Sequence, residues 1–361
     1  MIIRSLELSN YRNYEYEKFD FAQGTNVLFG DNAQGKTNAL ESVFICACGK
    51  SYKGTKDKDI IGFDKKEAHI KLIIEKEGVP HRVDIHLKNG GRKGIAIDGV
   101  PIKRAVEIFG LLNVVIFAPE NLAIIKSSPS ERRCFIDIEL CQLDKIYTHN
   151  LINYNKIIVQ KNKLLKQLED DPSLIDTLSI WNEQLVTYAE PVIKKRREFI
   201  EELGGIIAGI HSSITDGAED LKIIYEPCCK EDELAGRLDR DKARELGAKT
   251  SLFGPHRDDI RFEINGIDVR TFGSQGQQRS AALSLKLSEI ELVKRRINDT
   301  PILLLDDVLS ELDEGRQKRL LREIEGIQTI ITCTGLDEFK EHEFSIDKTF
   351  YIEKGSIKSV N

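Results

Sequence analysis

The segment GDNAQGKT, Gly30 to Thr37, combines residue types suited to holding a polyphosphate. It fits G-x-x-x-x-G-K-[ST] and lies between a short apolar run, Thr25 to Phe29, and a stretch of helical apolar spacing from Lys36 to Cys48. Glycines let the backbone wrap phosphates with its N–H groups, and Lys36 brings positive charge to the β- and γ-phosphates. The Thr37 hydroxyl can ligate Mg²⁺ at the positive end of the helix. Gly30, Asp31, Asn32, Ala33, Gln34, Gly35, Lys36 and Thr37 are therefore the expected nucleoside-triphosphate loop.

An acidic constellation lies far downstream in PILLLDDVLSELD. Ile302 to Leu305 read as a buried strand ending in Asp306 and Asp307, which puts two carboxylates at its C-terminal edge. Asp306 is the expected Mg²⁺ partner, with Thr37. Asp307 is the carboxylate expected to polarise the attacking water. Between the two motifs, SQGQQRS (Ser274 to Ser280) opens a predicted helix. A serine cap followed by glycine can present a hydroxyl and N–H groups to an anion such as a γ-phosphate; a capped surface helix is the alternative.

The elements that must position these groups fall into three stretches. Residues 1–127 alternate strand and turn texture around one helix: a half-buried strand at Ile2 to Leu8, then three strand-like runs between Ala68 and Asp98, punctuated by Glu77-Gly78, Asn89-Gly90-Gly91 and Asp98-Gly99. Leu111 to Phe117 reads as a fully buried strand. From Ser130, taken as a helix cap, to Asp170 there is no Gly or Pro, so a helix of up to ~60 Å is possible. Leu151, Tyr154, Ile158, Leu165 and Leu168 form a heptad seam interrupted by Lys161, too short for a long coiled coil and suited to an antiparallel helical lobe. Pro172 and Pro191 mark helix starts and Gly204-Gly205 a stop, giving an inserted lobe over 128–249. Residues 250–361 return to strand texture, with a hairpin at Asp259 to Val269, a helix at Gln275 to Ile297, another near Gly315 to Ile324 and a strand at Thr329 to Cys333.

A chain of 361 residues, 40% hydrophobic and 31% charged, can bury a real core. Its start shows no secretory signal and no run approaches ~18 apolar residues, so a cytoplasmic location without membrane attachment is expected. Seven cysteines in no disulfide or zinc spacing agree with a reducing compartment. The net charge of -6 excludes a globally basic nucleic-acid binder and leaves only a local basic surface.

The order of these motifs, closed by Ser310-Glu311-Leu312-Asp313 after the acidic strand, resembles the ABC-type ATPases, and within them the branch that contains SMC heads and RecF. LSNYRNY (Leu8 to Tyr14), PENLAIIKSSPSERRCFID (Pro119 to Asp137), FGPHRDD (Phe253 to Asp259) and SQGQQ carry a closer similarity to the RecF family over essentially the whole chain. The resemblance implies an α/β ABC-type ATPase head with an inserted helical lobe and ATP as the nucleotide. It also implies that Ser274, Gln275, Gly276 and Gln277 meet the ATP of a partner subunit, with Arg12 near the nucleotide and Glu120 at the Q-loop glutamine position. Thr334 stands where a switch histidine is usual, which points to slow hydrolysis, and Asn121 and the stretch Lys126 to Ser128 depart from the family beside the Q-loop, where they bear on the coupling between DNA and ATP. By the same resemblance the expected role is an ATP-dependent dimeric clamp on double-stranded and gapped DNA in repair, replication and the SOS response. RecR and RecO would be partners, and RecA and single-strand-binding protein indirect ones.

Lys50, Lys53, Lys56 and Lys58, with Tyr52 interleaved, are the candidate DNA surface, against a reading as solvated loop lysines. Arg132, Arg133 and Lys194 to Arg197 are further candidates, the last group read as a solvated helix face. His256 and Arg257 are functional by resemblance or anchored by Asp258 or Asp259. Two rival classes share the nucleotide chemistry. A transporter subunit conflicts with the long insertion, and an ABC-headed nuclease needs a metal-binding domain for which 361 residues leave no room.

Overall fold

A computed structural model describes residues 1–122, 124–337, 339 and 344–361, without the side chains of Asn121 and Leu122, so the expectation for Asn121 lies outside the described residues. The chain divides into two compact units, 1–123 with 282–361, and 124–281.

In the first unit, the runs with no polar alternation become the interior of a six-stranded sheet. Its order is Ser356–Val360, Lys348–Glu353, Thr25–Phe29, Thr329–Cys333, Ile302–Asp306, Val114–Phe117. All neighbours are parallel except the first pair, a C-terminal hairpin absent from the sequence expectations. Strands covered on both faces need apolar residues on both, which is why Ile302–Asp306 and Thr329–Cys333 are buried throughout. The buried strand predicted at Leu111 begins at Val114. A second sheet, antiparallel, runs in the order Tyr14–Asp20, Ile2–Tyr11, Glu67–Lys76, Val79–Lys88, Gly94–Ile97, Val100–Pro101. Here burial alternates along Glu67–Lys76, as expected when only one face meets a core.

The second unit includes the helices Pro129–Leu143, Lys145–Gln167 and Thr177–Ile214. The tract from Ser130 is not continuous. Asp144 adopts extended geometry and its carboxylate accepts from the amides of Ile146 and Tyr147, so it ends one helix and caps the next. The first helix starts at Pro129 after Ser128, which corrects the expected cap at Ser130. Pro191 and Gly204-Gly205 both lie inside one 38-residue helix, correcting the expected start and stop. Tyr154 packs with Leu185, Ala189 and Ile193, and Leu164 and Leu165 pack with Leu178, so the two long helices run antiparallel. Lys161 does not interrupt their seam: it is fully buried and pairs with buried Glu245 at 2.7 Å.

The lobe also contains a strand, Leu221–Glu226, which pairs with Asp259–Ile264 and so draws the hairpin into the second unit. The second compact unit accordingly runs to Ala281. Polar clasps hold the hairpin within it. Buried Arg132 makes a bidentate pair with Asp259 at 2.7 Å, and buried Arg196 donates to Asp137, Asp258 and the Pro255 carbonyl. Arg133 donates to the Asp258 carbonyl, and Arg197 pairs with Glu231. Arg132 and Arg196 therefore belong to the interior, and the reading of residues 194–197 as a solvated face fails at Arg196. GPHRDD anchors its own fold in the same way: Gly254 has φ 125°, and a β-carbon there would stand 2.5 Å from the Tyr154 hydroxyl.

Candidate nucleotide site

The parallel register brings Phe29, Asp306, Cys333 and Phe117 to one edge of the sheet, where an α/β fold binds its ligand. Thr25–Phe29 leads into the phosphate loop, which is tightly shaped. Gly30 and Gly35 have φ of 145° and 119°, and Ala33 is left-handed at 62°. A β-carbon on Gly30 would lie 2.3 Å from the Ile352 carbonyl oxygen, and one on Gly35 2.6 Å from the Asn13 amide nitrogen. Gly30 and Gly35 are thus demanded by conformation and by space.

Groups that the sequence reading missed support the loop from behind. The Asn13 side-chain amide donates to the Gln34 carbonyl at 2.8 Å, and the Tyr14 hydroxyl to the Gly35 carbonyl at 3.0 Å. The Lys354 amide donates to the Gln34 side chain at 2.7 Å, and the Gly355 amide to its carbonyl at 2.9 Å. Asn13 and Tyr14 lie inside LSNYRNY, so a signal existed; Lys354 and Gly355 are a long-range turn with none. Asp31, Asn32 and Ala33 form the exposed rim.

Lys36–Cys48 begins at Gly35 with no side-chain cap and no acidic residue in its first turn, which leaves that helix end suited to an anion. The Lys36 ammonium donates to the carbonyls of Gly30 and Asp31 (2.8 Å for Asp31). Burial lowers its pKa, opposed mainly by the charge of Asp307. Thr37 donates its hydroxyl to Asp306 Oδ1 at 2.6 Å, joining the two halves of the site across 269 positions. The same oxygen accepts from the Thr332 hydroxyl at 2.9 Å, and Asp306 Oδ2 accepts from the Tyr52 hydroxyl at 2.7 Å. A hydroxyl and a carboxylate in contact are the hard oxygen donors that fit Mg²⁺.

Asp307 is left-handed at φ 53°, a conformation with a cost for any side chain. Its amide donates to the Thr332 hydroxyl at 3.0 Å. Burial raises its pKa, and Lys36 opposes the rise. Ser310 donates to its carbonyl at 2.8 Å. Glu120, on the short helix Pro119–Leu122, is exposed, as is Thr334 just after Thr329–Cys333, which is not the last strand of the sheet.

Arg12 is left-handed at φ 53° and forks onto buried Glu41 at 2.7 and 2.9 Å, with Thr55 as a third acceptor. The 50–58 segment follows: Lys53 and Lys56 are exposed, and the Lys53 ammonium lies 5.6 Å from the centroid of the Tyr52 ring. Lys50 is exposed too. Tyr52 itself is not a surface residue offered to DNA, because its hydroxyl is spent on Asp306.

Ser274 belongs to the second unit and starts the helix Gln275–Ile297. Its hydroxyl accepts from the Gln277 amide at 3.2 Å while its own amide donates to the Gln277 side chain at 2.9 Å, a reciprocal cap. Gln277 also donates to Glu219 at 3.0 Å. Accepting uses only a lone pair, so the Ser274 hydroxyl proton can still be donated to an anion. Elsewhere, Glu67, His69 and His86 cluster on the antiparallel sheet, but the two rings are stacked 7° from parallel, so their in-plane lone pairs do not converge on one ion.

The RecF/RecN/SMC N terminal domain family matches residues 2–357. The DNA replication and repair protein RecF of Lachnoclostridium phytofermentans is 54% identical over 99% of both chains, and that of Clostridium kluyveri is 42% identical over 100% of both. The chain belongs to the RecF family. Among solved structures, that of the recombination mediator protein RecF-ATP in the RecFOR pathway superposes with a TM-score of 0.92 at 34% identity, covering 99% of this chain and 96% of that one. An SMC head domain from Pyrococcus furiosus, at 16% identity and a TM-score of 0.57, shares the fold. The architecture is therefore an ABC-type ATPase head.

Proposed function

We propose that this RecF-type DNA repair and replication protein is an ATP-dependent clamp, in which two copies close around shared ATP on double-stranded or gapped DNA. The observation that carries the nucleotide half of this reading is the Thr37–Asp306 contact at the mouth of a glycine-shaped phosphate loop. Residues 30–37 hold the triphosphate, with Lys36 moving from loop carbonyls to phosphate oxygens. Thr37 and Asp306 hold Mg²⁺, which supplies charge neutralisation at the β- and γ-phosphates. Asp307 orients and deprotonates the attacking water. Glu120 and Thr334 flank that water, and Arg12, with five donors and four acceptors engaged, retains one N–H for the nucleotide. Ser274, Gln275, Gly276 and Gln277 cap the ATP of the partner subunit.

Slow hydrolysis makes the ATPase a timer that reopens the clamp. Lys50, Lys53 and Lys56 track DNA phosphates. The association of a similar protein with the RecFOR pathway supports RecR and RecO as partners, with RecA loading on gaps coated by single-strand-binding protein as the outcome. Among the described residues no helix is long and apolar enough to cross a membrane.

The test is sizing by light scattering with and without ATP and duplex DNA. A monomer that becomes a dimer with ATP, and a longer-lived dimer with DNA, is the expected result. A mass unaffected by ATP under saturating nucleotide would overturn the clamp.

A further inference from the structure

The segment carrying the candidate DNA lysines is latched to the nucleotide site at two places. At the first, the Tyr52 hydroxyl donates to Asp306 Oδ2 at 2.7 Å, with the ring held edge-on against Phe44 at 5.5 Å. At the second, the Ser51 hydroxyl donates to Glu41 at 2.5 Å, the same carboxylate that receives the Arg12 fork. Glu41 lies on the helix that begins with Lys36 and Thr37. Between these latches and solvent, Lys53 has its amide on Ser51 at 3.1 Å and its ammonium beside the Tyr52 ring. Arg12 reaches Thr55 at 3.2 Å on the far side of Gly54.

Both carboxylate oxygens of Asp306 accept from hydroxyls, three in all, which leaves lone-pair capacity for a cation. Thr37 and Thr332 fix Oδ1, while among the described residues Tyr52 alone donates to Oδ2. Thr37 and Thr332 stand on the helix and the neighbouring strand of the site; Tyr52 stands on a loop. Loss of the Tyr52 contact frees Oδ2 while both threonine contacts to Oδ1 remain. Partners one shell out from a metal ligand typically change metal affinity by about 10–100-fold when removed.

We propose that Tyr52 is a positioning residue that couples the lysine segment 50–58 to the Asp306 carboxylate, so that a polyanion bound by the lysines changes the affinity for Mg²⁺–ATP. The coupling is reciprocal: Mg²⁺–ATP changes the affinity for the polyanion by the same factor. This inference rests on the assignment of Asp306 to Mg²⁺ and of the lysines to DNA, and the experiment separates the three.

Binding of a fluorescent ATP analogue by the full chain is titrated with Mg²⁺, with EDTA, and with or without a duplex oligonucleotide. The variants are Tyr52→Phe, which keeps the ring and its contact with Phe44, and the pair Lys53→Glu with Lys56→Glu. In Tyr52→Phe, affinity in EDTA stays at the parental value, which also reports a folded site, while the Mg²⁺ needed for half-saturation rises about tenfold or more. The factor by which duplex DNA alters Mg²⁺–ATP affinity in the parent falls to about one in Tyr52→Phe. The lysine pair variant loses the DNA effect and retains the parental Mg²⁺ requirement. An unchanged Mg²⁺ requirement together with an unchanged DNA factor in Tyr52→Phe overturns the proposal. A parent that binds DNA and Mg²⁺–ATP without mutual effect also overturns it. A parent that binds no DNA defeats the clamp reading instead, and the Mg²⁺ shift then decides the Tyr52–Asp306 link alone.

Discussion

Replacing Thr332 with valine isolates the hydroxyl that holds both acidic residues of the site. The side chain is 1% exposed in the strand Thr329–Cys333, and valine keeps its branched shape, so the backbone has no reason to move. What disappears is one hydroxyl that donates to Asp306 Oδ1 at 2.9 Å and accepts from the Asp307 amide at 3.0 Å. A hydrogen bond to a charged group contributes about 1.5–3 kcal/mol, and a buried amide left without a partner costs about 1–3 kcal/mol. The Asp307 amide keeps the Thr332 carbonyl at 3.2 Å, so the second cost is partial. The expected destabilisation is therefore about 2 kcal/mol, read as a lower urea midpoint at unchanged m value. Asp307 is held left-handed next to this bond, so turnover should fall by about tenfold or more, the equivalent of ~1.4 kcal/mol in the barrier. Thr332→Ser, which keeps the hydroxyl, should retain most of the turnover. A valine variant within about 0.5 kcal/mol of the parent, with parental turnover, would refute the reasoning.

Asp307→Asn should bind ATP at the parental affinity and hydrolyse none, and its ATP-bound dimer should outlive the parental one on DNA; parental turnover would move the base elsewhere. Lys36→Met should lose nucleotide binding, since two loop carbonyls and the phosphates need an ammonium at that point; unchanged affinity in a titration would count against the loop. His256 accepts from the Tyr154 hydroxyl at Nδ1 and donates from Nε2 to the Ser251 carbonyl, and burial lowers its pKa to about 4. The unfolded state then binds the extra proton between pH 6.5 and 4, so stability is present above that window and is lost as pH falls through it, by at most about 2 kcal/mol from pH 6.5 to 5. His256→Asn should flatten that part of the urea-midpoint profile, and an unchanged slope would assign it to other groups.

The two motifs that meet at the candidate nucleotide site were legible because each carries its residues in local spacing. GDNAQGKT and the acidic pair after Ile302–Leu305 carry their chemistry in eight and six consecutive positions, and both lie where strand and helix texture are strongest. The groups that brace them are set by contacts between distant segments. Thr332, Lys354 and Gly355 have no local pattern, and Tyr52 lies in a lysine-rich run whose composition points outward while its hydroxyl is directed inward. The lobe misled for a related reason. Pro191 and Gly204-Gly205 are breakers by propensity, yet the helix Thr177–Ile214 persists because its apolar face is held by Tyr154 and its neighbours and by the strand Leu221–Glu226. Lys161 and Arg196 look solvent-bound in sequence, and only their partners Glu245, Asp137 and Asp258 reveal them as interior.

The central claim, that each ATP is shared between two copies, is tested most directly by mixing Ser274→Arg protein with Lys36→Met protein and sizing the mixture with ATP. Arginine at 274 replaces the hydroxyl intended for the partner's γ-phosphate and leaves the phosphate loop intact, so neither variant should dimerise alone. In the heterodimer one composite site carries both lesions and the other carries neither. Partial recovery of ATP-dependent dimer in the mixture is the predicted result; normal dimerisation of Ser274→Arg alone, or a mixture no better than its components, would contradict the shared site.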